Sequence, residues 1–226
     1  MPRDDDRTDR AAIHIWGDDI LGISFDEPSE CRQAAEQLRQ TGLWIECVTG
    51  IESVAVQFDA AKTDLDRARH RLLEELRSLS GTSRNASALL TIPVCYGKKF
   101  GPDFAAVCEA LGLSGEQVVE LHTAGEYTVD MLGFTPGFAY IGGLPEELNV
   151  PRLARPRQRV AAGSVGIADG RSGLYALPGP GGWPLIGRTP MRLFDASAAQ
   201  PILLRAGMRV QFRPIDAAEF RDREQQ

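Results

Sequence analysis

No phosphate loop of the form G-x-x-x-x-G-K-[ST] occurs in this sequence, and neither H-E-x-x-H nor G-x-S-x-G is present. The first absence removes the usual cradle for a nucleoside triphosphate. The others remove the helical zinc site of metalloproteases and the nucleophile elbow of α/β-hydrolases. Gly163-Ser164-Val165-Gly166 has the wrong spacing for such an elbow. Gly179-Pro180-Gly181-Gly182 is glycine-rich, but no lysine follows it and no dinucleotide fingerprint frames it. No biotin acceptor motif of the Met-Lys-Met kind is found.

Cysteine numbers four, at Cys31, Cys47, Cys95 and Cys108, with no C-x-x-C pair and no histidine at metal-site spacing. These positions read as buried free thiols in a reducing compartment, and no metal is expected. Positive charge is in deficit, the net charge being −6, which argues against a nucleic-acid partner. Long apolar runs are missing too. The opening MPRDDDRTDRAA has no apolar core of a signal peptide, and no run approaches the roughly 18 residues of a membrane span. The expectation is a cytoplasmic protein without a membrane partner.

What is present is ordinary for a globular chain of 226 residues, with 43% hydrophobic and 25% charged residues. Residues 1–10 read as a disordered charged tail. Residues 11–82 then follow a β-β-α-β-β-α order. Strands are expected at Ala11–Trp16, Ile20–Asp26, Ile45–Thr49 and Ser53–Phe58, where Val54, Val56 and Phe58 alternate with Ala55 and Gln57. Helices are expected from Pro28 to Gln40 and, capped by Thr63, along the stripe Leu65, Ala68, Leu72, Leu76, Leu79. This makes an α+β domain with helices on one face of an antiparallel sheet. Small polar residues at 83–88 read as a linker.

Residues 89–215 carry many short β segments between turns, the pattern of a barrel, and 216–226 a frayed or helical tail. Pro93 suggests an edge or a strand start in Leu89–Tyr96. Helices are expected at Pro102–Leu111 and from Ser114, whose capping box with Gln117 opens a helix ending near His122. Residues 201–214 supply closing strands. The stretch Leu132–Thr189 is punctuated by Gly and Pro, so it forms short strands and tight turns. It is either a binding surface or a barrel with glycine-rich turns.

Candidate chemistry is sparse. His122, at a helix C-terminus where the dipole favours an imidazolium, is either an acid–base group approached by Glu126 or a cap on the last carbonyls. Arg152, Arg155 and Arg157 either grip an anion in forked geometry or stand solvated. Phe138 and Tyr140 alternate with Ala139 on one strand. Phe134, Phe138 and Trp183 suit a core more often than a ligand platform.

Long stretches nevertheless resemble one family. They are IPVCYG with GPDF (Ile92–Gly97, Gly101–Phe104), VVELHTAGEYTV (Val118–Val129), LGFTPGFAYIGGLP (Leu132–Pro145), PRLARPRQRVAAGSVGIA (Pro151–Ala168), GLYALPGPGGWPLIGRTP (Gly173–Pro190) and LFD (Leu193–Asp195). In this order they resemble the KipI-like family, which takes in 5-oxoprolinase B-subunit proteins and those called allophanate hydrolase subunit 1. Part of the carboxyltransferase region of urea carboxylase is similar. The resemblance runs from about residue 12 to 215. Lys98-Lys99, Ala161, Gly179 and Gly207-Met208 depart from the family's usual residues without breaking a motif.

The resemblance implies an α+β N-terminal domain followed by a mainly-β cyclophilin-like barrel. It implies a hydrolase subunit that is not active alone, in an ATP-dependent complex opening 5-oxoproline to glutamate. The partners implied are a homologous larger C subunit, in a hetero-oligomer, and an A subunit. ATP is used by the complex and not evidently bound by this chain. Alternatives are an allophanate hydrolase or urea carboxylase-related subunit, or a KipI-like inhibitor of a sensor histidine kinase; a prolyl isomerase rests on fold analogy only. Family stretches and pocket chemistry together nominate a functional face for the amide substrate or the partner. His122 is its candidate for proton transfer and Arg157 for a carboxylate. Phe134, Thr135, Pro136, Gly137, Phe138, Tyr140, Gly163 and Ser164 form the rest, the glycines being expected to admit a substrate or partner backbone.

Overall fold

The computed structural model describes residues 13–78 and 89–225. The tail expected at 1–10, the linker at 83–88 and the stripe residue Leu79 lie outside the described residues. The chain forms two compact units, residues 1–86 and 87–226.

In the first unit β1 (Ile13–Ile15), β2 (Ile20–Ser24), β3 (Glu46–Thr49) and β4 (Ser53–Gln57) make an antiparallel sheet ordered β1-β2-β4-β3. Strand alternation sends Leu21, Ile23, Val54 and Val56 to one face, paired across strands as Leu21↔Val56 and Ile23↔Val54. The helices α1 (Pro28–Gln40) and α2 (Leu65–Arg77) cover that face with Cys31, Ala35 and Leu38, and with Ala68, Leu72 and Leu76. Asp64, not Thr63, caps α2, accepting from the Arg67 N–H at 2.9 Å. The Thr63 N–H instead closes a turn onto the Asp59 carbonyl, which leaves Thr63 one residue outside the helix.

The second unit is a closed barrel. In chain order its strands are β5 (Leu90–Tyr96), β6 (Tyr127–Leu132), β7 (Ala139–Gly142), β8 (Arg157–Val160), β9 (Ser164–Ala168), β10 (Arg171–Leu174), β11 (Gly179–Gly181), β12 (Leu185–Arg188) and β13 (Arg209–Pro214). The barrel runs β10-β7-β6-β13-β5-β12-β9, and β8 and β11 form a separate two-stranded ribbon. Its filling includes Ile92, Val94, Val129, Ile141, Val165, Ile167, Leu174, Ile186, Val210 and Phe212. Burying each such side chain is worth roughly 1.5–3 kcal/mol.

Two expectations change here. Pro93 lies inside β5, a strand with neighbours on both sides, although at Pro93 itself only β13 is paired. The barrel tolerates it because β12 pairs only with Cys95 and Tyr96, so that side of β5 asks for no N–H at position 93. Residues 201–214 yield only one strand. Their first half is a turn, with Gly207 N–H on the Val129 carbonyl and a lone bridge from Ile202 to Phe194. The C-terminal segment is helical: α5 (Ala217–Glu224) is capped by Asp216, with Phe220 buried against Phe100 at 4.5 Å between centroids.

Two helices separate β5 from β6: α3 (Phe104–Leu111) and α4 (Gly115–Ala124). The capping box at α4 forms as expected: Ser114 Oγ accepts from Gln117 N–H, and the Gln117 side chain accepts from Ser114 N–H.

Candidate functional site

The turn Gly133–Phe138 joins β6 to β7, closed by Phe138 N–H on the Thr135 carbonyl at 3.0 Å and Gly133 N–H on the Phe138 carbonyl at 3.2 Å. At its tip Phe134 holds a left-handed backbone (φ +67°) and is 61% exposed. An aromatic residue keeps that costly conformation only when the surroundings enforce it, a pattern that clusters at binding sites. Thr135 and Pro136 share the tip and are not buried.

Phe134 is the outer end of a chain of rings. Its ring meets buried Phe138 edge-on at 5.7 Å; Phe138 meets Tyr140 and Tyr175, each at 4.8 Å, and Trp183 at 5.9 Å. Tyr140, half-buried, also meets Trp183 at 5.9 Å. Offset and edge-on pairs of this kind add about 0.5–1.5 kcal/mol each beyond area burial. The Arg152 guanidinium lies 5.7 Å over Trp183 and is held by Asp169 at 2.8 Å. Burial pushes the Tyr175 phenol up, opposed by the Trp183 backbone and the Arg152 and Arg157 charges. Phe134, Phe138 and Tyr140 thus converge, joined by Tyr175 and Trp183.

Arg157 opens β8 opposite Gly181, whose missing Cβ leaves room for the Tyr175 hydroxyl. Its Nη2 donates to Asp103, whose other oxygen accepts from the Leu185 N–H at 2.7 Å. Asp103 stands at the N-cap of α3 yet makes no capping bond. The carboxylate expected to come from a ligand is therefore supplied internally, and one guanidinium nitrogen, Nη1, is buried without a hydrogen-bond partner. Arg155 is exposed.

The two glycines expected to admit a ligand are filled by the chain itself. A Cβ on Gly137 (φ +78°) would meet Ala176 Cβ at 2.9 Å, and one on Gly163 (φ +79°) would meet the Thr189 carbonyl oxygen at 2.3 Å. They admit neighbouring backbone and side chain, not a substrate. Ser164 is buried, its carbonyl accepting from Tyr175 N–H.

His122 stands apart from this surface. It is 0% exposed, inside the barrel, stacked on Phe212 at 4.2 Å. Its Nδ1 lies 2.7 Å from the Tyr96 hydroxyl and its Nε2 3.0 Å from Ser172 Oγ, which reaches the Gly166 carbonyl at 3.4 Å. One proton arrangement satisfies all of them: Tyr96 O–H donates to Nδ1, Nε2–H donates to Ser172, and Ser172 O–H donates to Gly166. Burial pushes the imidazole down to about 3 and holds the Tyr96 phenol well above its usual value, so the ring is neutral and the phenol a donor. The expected imidazolium is overturned because desolvation outweighs the helix dipole. Glu126 pairs with Arg209 instead, and the Tyr127 hydroxyl takes the capping role on the His122 carbonyl at 3.0 Å.

Sequence reasoning missed Asp103, Tyr96 and Ser172. Asp103 had one local signal, an acidic residue directly before a helix, which reads as a cap. Ser172 had none, lying 50 residues from His122. Among the described residues no three His, Cys, Asp or Glu side chains gather as metal ligands, and no helix is long and apolar enough to cross a membrane.

The carboxyltransferase domain, subdomain C and D, matches residues 11–204. The B subunit of the 5-oxoprolinase of Escherichia coli O157:H7 is 41% identical over 91% of this chain and 96% of its own length. That of Bacillus subtilis is 37% identical over 94% of this chain and 96% of its own. Among solved structures, a conserved uncharacterised protein of Pyrococcus horikoshii is 38% identical with a TM-score of 0.58, covering 92% of this chain and 100% of its own. The Kluyveromyces lactis urea carboxylase superposes with a TM-score of 0.73 at 16% identity, over 94% of this chain and 22% of its own, a likeness of fold.

Proposed function

Since the chain belongs to the carboxyltransferase-domain family of subdomains C and D, we propose that it is the B subunit of an ATP-dependent 5-oxoprolinase, opening the lactam of 5-oxoproline to glutamate together with a homologous C subunit and with an A subunit. The observation that carries this reading is the 41% identity to a 5-oxoprolinase B subunit, extending over nearly the whole of both chains. The urea carboxylase alternative is not favoured, since that likeness extends only to the fold.

ATP is assigned to the partner subunits. The glycine-rich run that would cradle its phosphates is occupied within this chain: Gly181 pairs with Arg157 and packs on the Tyr175 hydroxyl. This chain contributes a surface of rings and guanidinium groups. Phe134 and Tyr140 offer apolar faces to the substrate ring, backed by the buried Trp183, and Arg152 lends positive charge to its carboxylate, while Arg157 stays paired with Asp103. The homologous C subunit completes the site.

Co-expression with the C- and A-subunit homologues tests this. The assembled complex is expected to release glutamate from 5-oxoproline with ATP consumption, and the purified chain alone to release none. Turnover by the chain alone, or an assembled complex inert to 5-oxoproline, refutes it.

Phe134→Gly separates site from scaffold. Glycine relieves the left-handed strain, so the unfolding free energy is expected to hold or rise, by up to about 1 kcal/mol. Loss of the exposed ring is expected to lower turnover by about tenfold, the usual weight of an aromatic anchor. A less stable variant with full turnover would show the ring to be scaffold.

A further inference from the structure

Between residues 100 and 151 the chain carries eight carboxylates and no lysine or arginine. Three of these acids are answered from elsewhere: Asp103 by Arg157, Glu126 by Arg209 and Asp130 by Arg171. Among the described residues Glu116 and Glu120 have no cationic partner, although they sit one turn apart on α4. Like charges at that spacing repel.

The two glutamates flank an open groove of about 850 Å³ whose floor is Tyr96, Phe104, Val119 and Pro214. Its walls are mixed, with Ser114, Gly115 and Thr123 beside those apolar residues, and among the described residues the only charged side chains lining it are the two glutamates. The α4 N-terminus at one end has the Ser114 and Gln117 N–H groups taken by its own capping box, and Glu116 in its first turn repels an anion. An aromatic floor below paired carboxylates suits the stem and head of an arginine or lysine, the stem packing on rings and the head meeting acid.

We propose that this groove is a docking surface for a lysine- or arginine-bearing segment of the partner subunit. The inference rests on the reading that the chain works within a hetero-oligomer, and adds where and by what chemistry the partner is held. Charge complementarity selects the occupant. A second copy of this chain is disfavoured, since its own net charge is −6.

Titration calorimetry of the full chain against the purified C-subunit homologue tests it. Glu120→Lys is expected to weaken binding by about threefold to tenfold and Glu116→Lys/Glu120→Lys by more than about tenfold. Binding by the unaltered chain is expected to weaken as salt rises from ~0.05 to ~0.5 M, and that of the double variant to be nearly insensitive. Asp222→Lys on exposed α5, with the same charge change as Glu120→Lys, is expected to stay within about twofold. Val119→Asp, which spoils the floor without adding positive charge, is expected to weaken binding as well. A complex that forms with the same affinity in the groove variants overturns this inference and leaves the proposed function standing. So does equal weakening by Asp222→Lys. No complex with the unaltered chain overturns both.

Discussion

His122→Ala is expected to destabilise the barrel by about 3–5 kcal/mol, a large part of the stability of an ordinary domain. Two effects add. The ring leaves a hole against Phe212, and the buried Tyr96 hydroxyl loses its acceptor, an orphaned group costing about 1–3 kcal/mol, while Ser172 keeps its bond to the Gly166 carbonyl. Because two units unfold here, the loss is best read by amide hydrogen exchange in β5, β10 and β13. The pH dependence carries the same signature. The folded imidazole sits near 3, below its unfolded value of 6.5, so the unfolded chain takes up a proton first. His122 therefore supports the fold fully above about pH 6.5, and that support fades as pH falls toward 3, by roughly 1.4 kcal/mol per unit. His122→Asn should flatten the slope between pH 6.5 and 5. An alanine variant as stable as the parent, with turnover abolished in the assembled complex, would return His122 to catalysis.

Gly163→Val is expected to prevent the barrel from folding, and Gly163→Ala to cost on the order of 3 kcal/mol or more. The added Cβ would stand 2.3 Å from the Thr189 carbonyl oxygen in a left-handed backbone that a branched side chain resists. Neither segment yields easily, because Thr189 N–H donates to the Gly163 carbonyl at 2.8 Å and Gly163 N–H to the Tyr175 carbonyl at 2.7 Å. Insoluble expression of the valine variant and a lowered denaturant midpoint for the alanine variant are the readouts. An alanine variant within about 0.5 kcal/mol of the parent would mean that the crossing opens more easily than its hydrogen bonds imply.

Both positions stand out in the sequence, for roles the structure does not give them. His122 stands at a helix C-terminus, where position alone argues for a charged ring. The barrel strands that wrap it come from residues 26 to 90 positions away and remove the water that a charge requires. Gly163 is legible as a place of close approach, but what approaches is the chain's own Thr189. Phe138 and Tyr140 are legible as ring-bearing strand positions. Tyr175 joins them only because β10 pairs with β7 and delivers it there.

By itself the sequence determined whatever depends on residues a few positions apart: the Ser114–Gln117 capping box, the α2 stripe, the alternation along β4 and the short, turn-rich strands of a barrel. Their signals lie within one turn or one strand, where side-chain chemistry acts directly on the local backbone. Tertiary structure alone decided which distant groups meet. Arg157 finds Asp103 across 54 positions, Glu126 finds Arg209 across 83, and His122 finds Ser172 across 50. Burial and charge pairing act through space, and strand register sets those distances only once the barrel has closed.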